Sequence, residues 1–279
     1  MIRILLLALL AVMVTLKSHA ALSVSPERVS NGGVALLRWQ GEPLSFGVIR
    51  FREQIIYLYP DAAGAIALIP VGLDVPAGAY RLPAALVDRQ GRTTFAEIPL
   101  QIVVAQRPVE RLSLPEEMVT PAAEDLARIE RESRLLGRVY ALRSPRHWAD
   151  FMRPVNDPVN SIFGKRRILN GKPKAPHSGT DFRSAAGTPV RALSDGRVAF
   201  VGDLFYTGKT VVVDHGEGLI SLYAHLSETL VTEGMSLAAG TALGKVGSTG
   251  RSTGAHLHLT VRLLGERIDP MALLALFEE

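Results

Sequence analysis

Short apolar runs separated by turn signals occupy the first third of the chain. Each run is about five to ten residues long, as strands usually are, and the runs are GVALLRW, FGVIRF, QIIYLY, AIALIP, GAYRLPAALVD and TFAEIPLQIVV. Short strands at this spacing are typical of antiparallel sandwiches. The pattern predicts a β-sandwich domain over residues 21–105, with an immunoglobulin-like topology as one candidate and with no catalytic constellation.

The pattern becomes charged and helical between residues 106 and 150. Thr120 is a candidate N-cap because Pro121, which suits the first helical position, follows it. Apolar residues then recur at near-helical intervals, at Leu126, Ile129, Leu136 and Tyr140. One helix face is expected to pack on a domain while the charged residues face water. We interpret residues 106–150 as a helical linker.

Apolar runs return from about residue 151, now between many glycines, as in KTVVVDHGEGLISLYAHL and GTALGKVGSTGRSTGAHLHLTVRL. Tight glycine turns between such runs predict a compact antiparallel sheet. A short last helix is predicted to begin at Asp269 and Pro270. The chain is therefore expected to be mainly β, with a second β domain over residues 151–279.

Alternation in AHLHLTVRL separates two faces of one predicted strand. Successive side chains of a strand point to opposite sides, so His256, His258, Thr260 and Arg262 share a face opposite the leucines and the valine. The leucine face is expected to build the core. The histidine face is then directed toward solvent, a cleft or a metal ion, and a decorated exposed sheet face is the plain alternative.

The run ISLYAHL repeats this arrangement. Ser221, Tyr223 and His225 fall on one side. The opposite, apolar side consists of Ile220, Leu222, Ala224 and Leu226. A third imidazole is thus predicted on a polar face, although a hydrogen-bonded strand histidine is the ordinary explanation for His225 alone.

The sequence HSGTD places His177 and Asp181 four residues apart, on one side of a strand. Alone, this pair is more typical of surface turn residues than of ligands. The concentration of histidines and a carboxylate in one glycine-rich region changes that balance and favours a metal site. His215, at a predicted turn, and His147, in the linker, are interpreted as structural or solvent-facing.

Residues 1–20 have the features of a cleavable secretory signal peptide, with one early arginine, an apolar run from Ile4 to Leu16 and the ending Ser18-His19-Ala20. The run is shorter than the roughly 17 to 25 residues of a membrane span, and an uncleaved anchor is the alternative. The chain has no cysteine, so disulfides cannot stabilise it. We expect an exported protein without a stable membrane span after cleavage.

The formal charge of +4 includes Arg3 and Lys17, so the chain without residues 1–20 carries +2, too little to indicate a partner. Five basic residues lie close together without an acid among them, namely Lys165, Arg166, Arg167, Lys172 and Lys174. This segment favours an anionic surface or substrate, with a solvated loop as the alternative. Nucleic acid is a poor candidate because no aromatic residues interleave with these bases.

The motifs FGKR, HSGTDF, LYAHL and GSTGRSTGAHLHL, in this order, resemble the lysostaphin and LytM family of zinc metallopeptidases. The family's patterns are H-x-x-x-D and H-x-H with a further histidine between them, and the match spans roughly residues 160 to 270. The resemblance implies a lysostaphin-like peptidase domain. It implies that one zinc ion is bound by His177, Asp181 and His258.

The resemblance further implies that His225 and His256 are the catalytic histidines. Three protein ligands leave a fourth position for water, as hydrolytic zinc sites require. The division of base and oxyanion roles between the two histidines stays open. Arg166 and Tyr223 are candidate substrate-groove residues, against a plain surface arginine and a packed strand tyrosine.

Family members cut peptide bonds in the bacterial cell wall, so the expected function is an exported endopeptidase acting on cross-links or bridges of peptidoglycan. The periplasm is the favoured location, and secretion stays open. The N-terminal domain is expected to dock the wall, position a partner or regulate the zinc cleft, with Asn170 as a less favoured blocking residue. Two alternatives are a non-catalytic regulator of a wall amidase and an exported peptidase acting on proteins.

Overall fold

The structure, a computed structural model, describes residues 21–113, 116 and 120–278. The predicted signal peptide, residues 1–20, lies outside the described residues. Strands make up most of the regular structure, which confirms the mainly-β class. Within the described ranges, no helix combines the length and the apolar character needed to cross a membrane.

The chain divides into two compact units. Among the described residues, the first unit comprises residues 21–27, 36–69 and 80–100, and the second comprises residues 28–35, 70–79 and 101–278. Two stretches inside the predicted sandwich, 28–35 and 70–79, therefore belong to the same unit as the C-terminal part of the chain.

The N-terminal strands form two sheets, with strand orders β1-β3-β7-β6 and β2-β9-β8-β4-β5. The strands are β1 (Ala21–Ser25), β2 (Arg28–Ser30), β3 (Val34–Gln40), β4 (Leu44–Phe51), β5 (Gln54–Tyr57), β6 (Tyr59–Asp61), β7 (Gly64–Pro70), β8 (Gly78–Asp88) and β9 (Thr93–Val103). The pairs β1–β3, β4–β5, β4–β8 and β6–β7 are antiparallel, whereas β2–β9 is parallel. The face-to-face packing of a sandwich stays a prediction.

The C-terminal strands form a ten-stranded sheet and a small three-stranded one. The strands are β10 (Val109–Leu112), β11 (Val159–Ser161), β12 (Arg166–Leu169), β13 (Lys172–Lys174), β14 (Thr180–Phe182), β15 (Pro189–Arg191), β16 (Gly196–Leu204), β17 (Gly208–Gly216), β18 (Leu219–Thr229), β19 (Ser236–Leu237), β20 (Ala242–Val246), β21 (Leu257–Leu263) and β22 (Glu266–Ile268). The large sheet follows the order β11-β14-β21-β18-β17-β16-β19, with β15, β20 and β22 paired outside this path, and the small sheet follows β10-β12-β13.

The central strands β17, β18 and β21 are buried along most of their length. The helix α1 (Ala123–Tyr140) covers one face of this centre, and the packed set consists of Leu136, Val139 and Tyr140 against Val212, Ile220, Leu222 and Ala224. None of the helix residues is itself fully buried. The helix thus lies on the sheet without closing tightly over it.

The start of α1 differs from the sequence prediction. The N-cap is Ala122, with no side-chain cap hydrogen bond, so the assignment of Thr120 as N-cap is wrong. The Thr120 hydroxyl instead donates to Glu116 Oε1 at 2.8 Å. Leu126 is 53% exposed, so it does not belong to the packed face that its spacing suggested.

The last helix begins where the sequence predicted. Asp269 is the N-cap of α2 (Pro270–Ala275), and its Oδ1 accepts a hydrogen bond from Met271 N at 2.9 Å. Pro270 occupies the first helical position, where its missing N–H has no partner to lose. The predicted helix start is therefore confirmed. It could be predicted from the sequence because capping depends only on neighbouring residues.

Glu217, at the turn between β17 and β18, has a buried carboxyl with few neighbouring groups that would stabilise a negative charge. It is 7% exposed, and its Oε1 accepts no hydrogen bond from the described part of the chain. The Arg146 Nε atom lies 3.9 Å away. Burial raises the pKa of the Glu217 carboxyl to about 7, although Arg146 lowers it in part. Ionisation therefore places a poorly solvated charge in the interior.

We expect Glu217→Gln to stabilise the protein at alkaline pH. The folded carboxyl keeps its proton up to about pH 7, whereas the unfolded one ionises near 4.5. The stability tied to this proton is therefore present below the unfolded pKa and is lost as pH rises through the folded pKa. The amide imitates the neutral acid at every pH, so the variant should gain about 1–2 kcal/mol over the wild type near pH 8 and almost nothing near pH 4, below the unfolded pKa.

Urea unfolding at the two pH values measures this difference. Glu53→Gln, at an exposed glutamate, is the matched control and should show no such pH-dependent gain. An equal gain for Glu217→Gln at both pH values would contradict the titration of a buried carboxyl.

Candidate metal centre and flanking histidines

Three candidate ligands converge at one end of the large sheet. Asp181 on β14 and His258 on β21 are direct partners in the antiparallel register of these strands, so their side chains share a face. His258 Nδ1 lies 2.7 Å from Asp181 Oδ1. His177 Nε2 lies 3.1 Å from each of these atoms. All three residues are buried.

Backbone contacts fix the segment that carries His177. Its N–H donates to Lys165 O at 2.9 Å, and its carbonyl accepts from Gly164 N at 2.9 Å. Two residues on, Gly179 passes so close to β21 that a Cβ atom would lie 2.1 Å from Leu259 O. The glycine of HSGTD is therefore needed for the close approach that brings His177 to Asp181.

The second nitrogen of each ligand imidazole has its own partner. His177 Nδ1 lies 3.0 Å from Ile162 O, and because a carbonyl can only accept, this nitrogen carries the proton. His177 Nε2 then presents a lone pair. His258 Nε2 lies 2.9 Å from Thr260 Oγ1, and a proton placed there frees Nδ1 in the same way. Such outer partners orient metal-binding imidazoles.

This donor set fits a metal ion. With neutral rings, the contact between His177 Nε2 and Asp181 Oδ1 brings two acceptors to 3.1 Å, which is unfavourable without a cation between them. A tetrahedral ion with ligands at about 2.0–2.1 Å separates its donor atoms by roughly 3.3 Å, close to the spacing found. His177, Asp181 and His258 therefore form a group that can bind one metal ion.

The electrostatics of the site favour an ionised carboxylate at Asp181. Burial alone would raise the pKa of the Asp181 carboxyl, but the neighbouring His177 and His258 hold that pKa well below its usual range. Burial lowers the pKa of His258, against the opposing effect of Asp181. Neutral imidazole and carboxylate are the forms that bind metal ions.

His225 stands beside this group because the backbone of β18 departs from regular alternation. Its φ is +61°, a conformation that few residues other than glycine adopt. The ring centroid lies 4.7 Å from that of His256 and 5.9 Å from that of His258. His225 Nδ1 donates to Thr249 O at 2.8 Å. Burial and then His258 lower the pKa of His225 to about 4.

His256 completes the pair of imidazoles on the open side. Its Nε2 lies 3.9 Å from Asp181 Oδ1, and its Nδ1 donates to Gly254 O at 2.8 Å. The side chain is 18% exposed, more than His258 at 10%. The structure thus brings together all five residues that the sequence singled out as ligands or catalytic histidines.

Tyr223 requires a correction. Its partner in the register is Leu259, whereas His258 is opposite Ala224, so the metal site lies on the face that simple alternation gave to the core. The Tyr223 ring is fully buried, its hydroxyl accepts from Leu193 N at 2.7 Å, and burial raises its pKa to about 12. A ring in this position cannot line a substrate groove. His225 reaches the site face only through its positive φ.

The basic segment after residue 164 is less isolated than the sequence suggested. Glu110 on β10 pairs with Lys165 at 2.8 Å and with Arg167 Nε at 3.2 Å. Arg167 also extends Nη2 to 3.6 Å from Asp181 Oδ2. Arg166, the predicted groove residue, is exposed on β12. Sequence spacing could not show these pairs because Glu110 lies more than 50 residues upstream.

Two further residues occupy structural positions. Asn170 donates to Glu116 Oε2 at 3.2 Å, so its amide has a partner other than the three ligands. His215 is fully buried, with Nδ1 2.7 Å from Asp195 O and Nε2 2.7 Å from Ser221 Oγ. These contacts agree with a structural role for His215.

Comparison with known proteins identifies similar sequences and folds. The sequence model of Peptidase family M23 matches residues 175–270. The chain is 40% identical over 114 residues to the peptidoglycan DD-endopeptidase ShyA of Vibrio cholerae, which covers 40% of the chain and 26% of ShyA. It is 33% identical over 141 residues to the murein hydrolase activator EnvC of Escherichia coli, covering 50% of the chain and 32% of EnvC.

A crystal structure assigned to peptidase M23 from Pseudomonas aeruginosa superposes with a TM-score of 0.66 at 30% sequence identity. The match covers 89% of this chain and 96% of that one, so the likeness includes residues outside the region of the family model. By contrast, the chain spans only about a quarter to a third of the two curated relatives, 26% and 32%.

We expect His258→Ala to abolish binding of one divalent metal ion per chain, since two remaining donors make a weak site. His256→Ala should keep the ion because its ring is not among the three converging ligands. Metal content after dialysis against Zn²⁺, together with the rise in Tm on metal addition, measures both variants. Stoichiometric metal in purified His258→Ala would contradict the assignment.

Arg167→Ala should weaken metal binding by about tenfold, because a charged partner that orients a ligand carboxylate is lost. The neighbouring Arg166→Ala is a matched control, since Arg166 is exposed and Arg167 is the residue that approaches Asp181. Competition with a chromogenic chelator gives both affinities. If the two variants bind the ion equally well, Arg167 does not orient Asp181.

Proposed function

The chain belongs to peptidase family M23, and on this premise we propose that it is an exported zinc endopeptidase that hydrolyses peptide cross-links or bridges of bacterial peptidoglycan. The observation that carries the proposal is the convergence of His177, Asp181 and His258 beside two further imidazoles. Two nitrogen donors and one carboxylate are a ligand set suited to zinc, and they leave a position free for water or substrate.

The chemistry that zinc supplies when bound is polarisation of the scissile carbonyl and activation of water near neutral pH. The protein's part in the reaction falls to His225 and His256. Each ring donates Nδ1–H to a backbone carbonyl, of Thr249 and Gly254, so each neutral ring keeps Nε2 as a proton acceptor. A ring that has taken up a proton can return it to the leaving amine or donate to the oxyanion.

The carbonyl contacts also fix the ring orientations. Because Nδ1 of each ring is held by the loop of residues 249–254, both Nε2 atoms keep a defined direction without help from the substrate. Preorganised groups of this kind lower the cost of reaching the transition state. This proposal assigns proton transfer and oxyanion stabilisation to the pair.

Peptidoglycan as substrate is supported by similarity to a peptidoglycan DD-endopeptidase. An extracytoplasmic location agrees with such a substrate, and the apolar N-terminal segment, Ile4 to Leu16, supports export through a signal peptide to the periplasm, with secretion as the other destination. The substrate and the compartment rest on these two observations together.

The second candidate, a non-catalytic activator of a wall hydrolase, is favoured by the similarity to EnvC. Against it, all three ligands and both flanking histidines are present and adjacent here. A regulator has no need of a preserved set of metal donors. The hydrolase is therefore the function that the site supports best.

We expect the zinc-loaded protein to release soluble muropeptides from purified sacculi, and chelation to stop the release. His225→Ala and His256→Ala should each keep bound zinc but lose on the order of a hundredfold in rate, because a positioned proton donor or acceptor contributes about that much. His147→Ala, at an exposed histidine outside the site, is the matched control. Mass spectrometry of the products identifies the bond.

Other outcomes identify the alternatives. Intact sacculi together with stimulation of an added wall amidase would support the activator. Cleavage of an unfolded protein substrate but not of sacculi would support a protein peptidase. Near-complete activity of His225→Ala with zinc bound would remove that residue from the mechanism.

A further inference from the structure

A groove runs between α1 and the sheet face that carries the metal ligands. It has a volume of about 600 Å³, enough for a short peptide. Its helix wall is formed by Ile129, Ser133, Leu136, Gly137 and Tyr140, and its floor includes Leu222, His258, Thr260 and Arg262. The metal site lies at only one end of this groove, where His258 lines it.

The near end of the groove adjoins the metal site. Ser178 and His258 line it, and both lie within or next to the ligand segments. Thr207 lines it too, and its carbonyl accepts a hydrogen bond from His225 N at 2.8 Å. A peptide that enters this groove therefore passes the ligands and the flanking histidine.

The far end is basic. Arg143, Arg262 and Arg267 line it, and Arg262 and Arg267 are direct partners across the β21–β22 hairpin. Like charges directly opposite each other on a sheet are destabilising unless an anion lies between them. Such a pair at the end of a groove indicates an anionic ligand.

Neutral groups hold the guanidinium groups of Arg262 and Arg143 in place. Arg262 stacks on the Tyr140 ring at 4.3 Å and donates Nη1–H to Gly265 O at 2.7 Å. Its enclosed Nε meets no acceptor in the described ranges. Arg143 donates Nη1–H to Leu142 O at 2.7 Å. Stacking fixes the plane of a guanidinium for bidentate binding of a carboxylate.

Two acids lie near the groove. The Glu132 carboxylate lines it but accepts from Arg128 Nε at 2.6 Å and from Phe205 N at 2.8 Å. The Glu266 carboxylate, on the hairpin itself, lies against Gly72 and also attracts the Arg262 guanidinium. The positive charge of the far end is therefore only partly offset.

Strand geometry sets the length of the ligand. His258 and Arg262 are four residues apart on β21, which corresponds to about 13 Å. An extended peptide of about four residues spans the same distance. We propose that one peptide strand of the substrate lies in this groove and that Arg143, Arg262 and Arg267 bind its free carboxylate, about four residues from the bond that is cut.

This inference rests on the proposed peptidase function and names its specificity determinant. Gly137 provides a direct way to test it. A Cβ atom added there meets nothing within 4 Å, and the residue lies on the helix wall of the groove. Gly137→Leu should therefore keep the helix, since leucine forms helices better than glycine, while it fills the groove.

The experiment uses full-length protein and two synthetic branched peptides that differ only in whether the distal carboxylate is free or amidated. Calorimetry on the metal-free protein measures binding without cleavage. The free acid should bind at least about tenfold more tightly, because charge-assisted bidentate contacts are strong. Arg267→Gln combined with Arg143→Gln should remove this preference, and Gly137→Leu should weaken binding of both peptides by a similar factor.

A control variant accompanies these variants. Arg138→Gln removes an exposed arginine of α1 that does not line the groove, and it should bind both peptides like the wild type. With zinc restored, the arginine variants should raise KM for the acidic peptide and leave kcat nearly unchanged.

Equal binding of the two peptides by the wild type, or an unchanged preference in the double arginine variant, would overturn the carboxylate site. Normal binding by folded Gly137→Leu would overturn the groove. Preferential binding of the acid without any cleavage after zinc is restored would leave the subsite standing and reject the peptidase function instead.

Discussion

The buried contact between His177, Asp181 and His258 is the constraint on which the active region depends. Three donor atoms lie 2.7–3.1 Å apart, and because His177 gives its Nδ1 proton to Ile162 O, its Nε2 faces the Asp181 carboxylate as an acceptor. The fold must hold them there. It does so through the register of β14 with β21 and through the backbone contacts of His177 with Gly164 and Lys165. A bound cation turns this unfavourable proximity into coordination, so metal binding and local stability are linked.

Two backbone features make this arrangement available to the chain. Gly179 allows the ligand segment to pass within van der Waals distance of the Leu259 carbonyl, and His225 adopts a positive φ at the end of the buried part of β18. A strained backbone at such a position is retained when the surroundings determine it fully. Here the bond from His225 N to Thr207 O and the bond from its ring to Thr249 O do so. The His225 imidazole therefore lies on the sheet face of the metal ligands, although regular alternation along β18 would place it on the opposite face.

Local rules predicted much of the chain, and long-range pairing explains the rest. The β class, the start of α2 at Asp269 and the shared face of His256 and His258 follow from period and capping, which neighbouring residues determine. The faces of β18 were assigned wrongly because both of its faces are buried, so hydrophobicity does not distinguish them. Glu110, which joins β12 to the site through Arg167, gave no signal since its partners lie 55 and 57 residues away.

The sheet face beside the metal ligands is apolar because the helix α1 packs on it. Val212, Ile220, Leu222 and Ala224 need cover, and the helix supplies it with Leu136, Val139 and Tyr140. Complete cover would also fill the space beside Thr260 and Arg262. A helix without a fully buried residue and with glycine at position 137 leaves a space along β21 instead. The same packing that stabilises the sheet thus creates a wall beside the metal site.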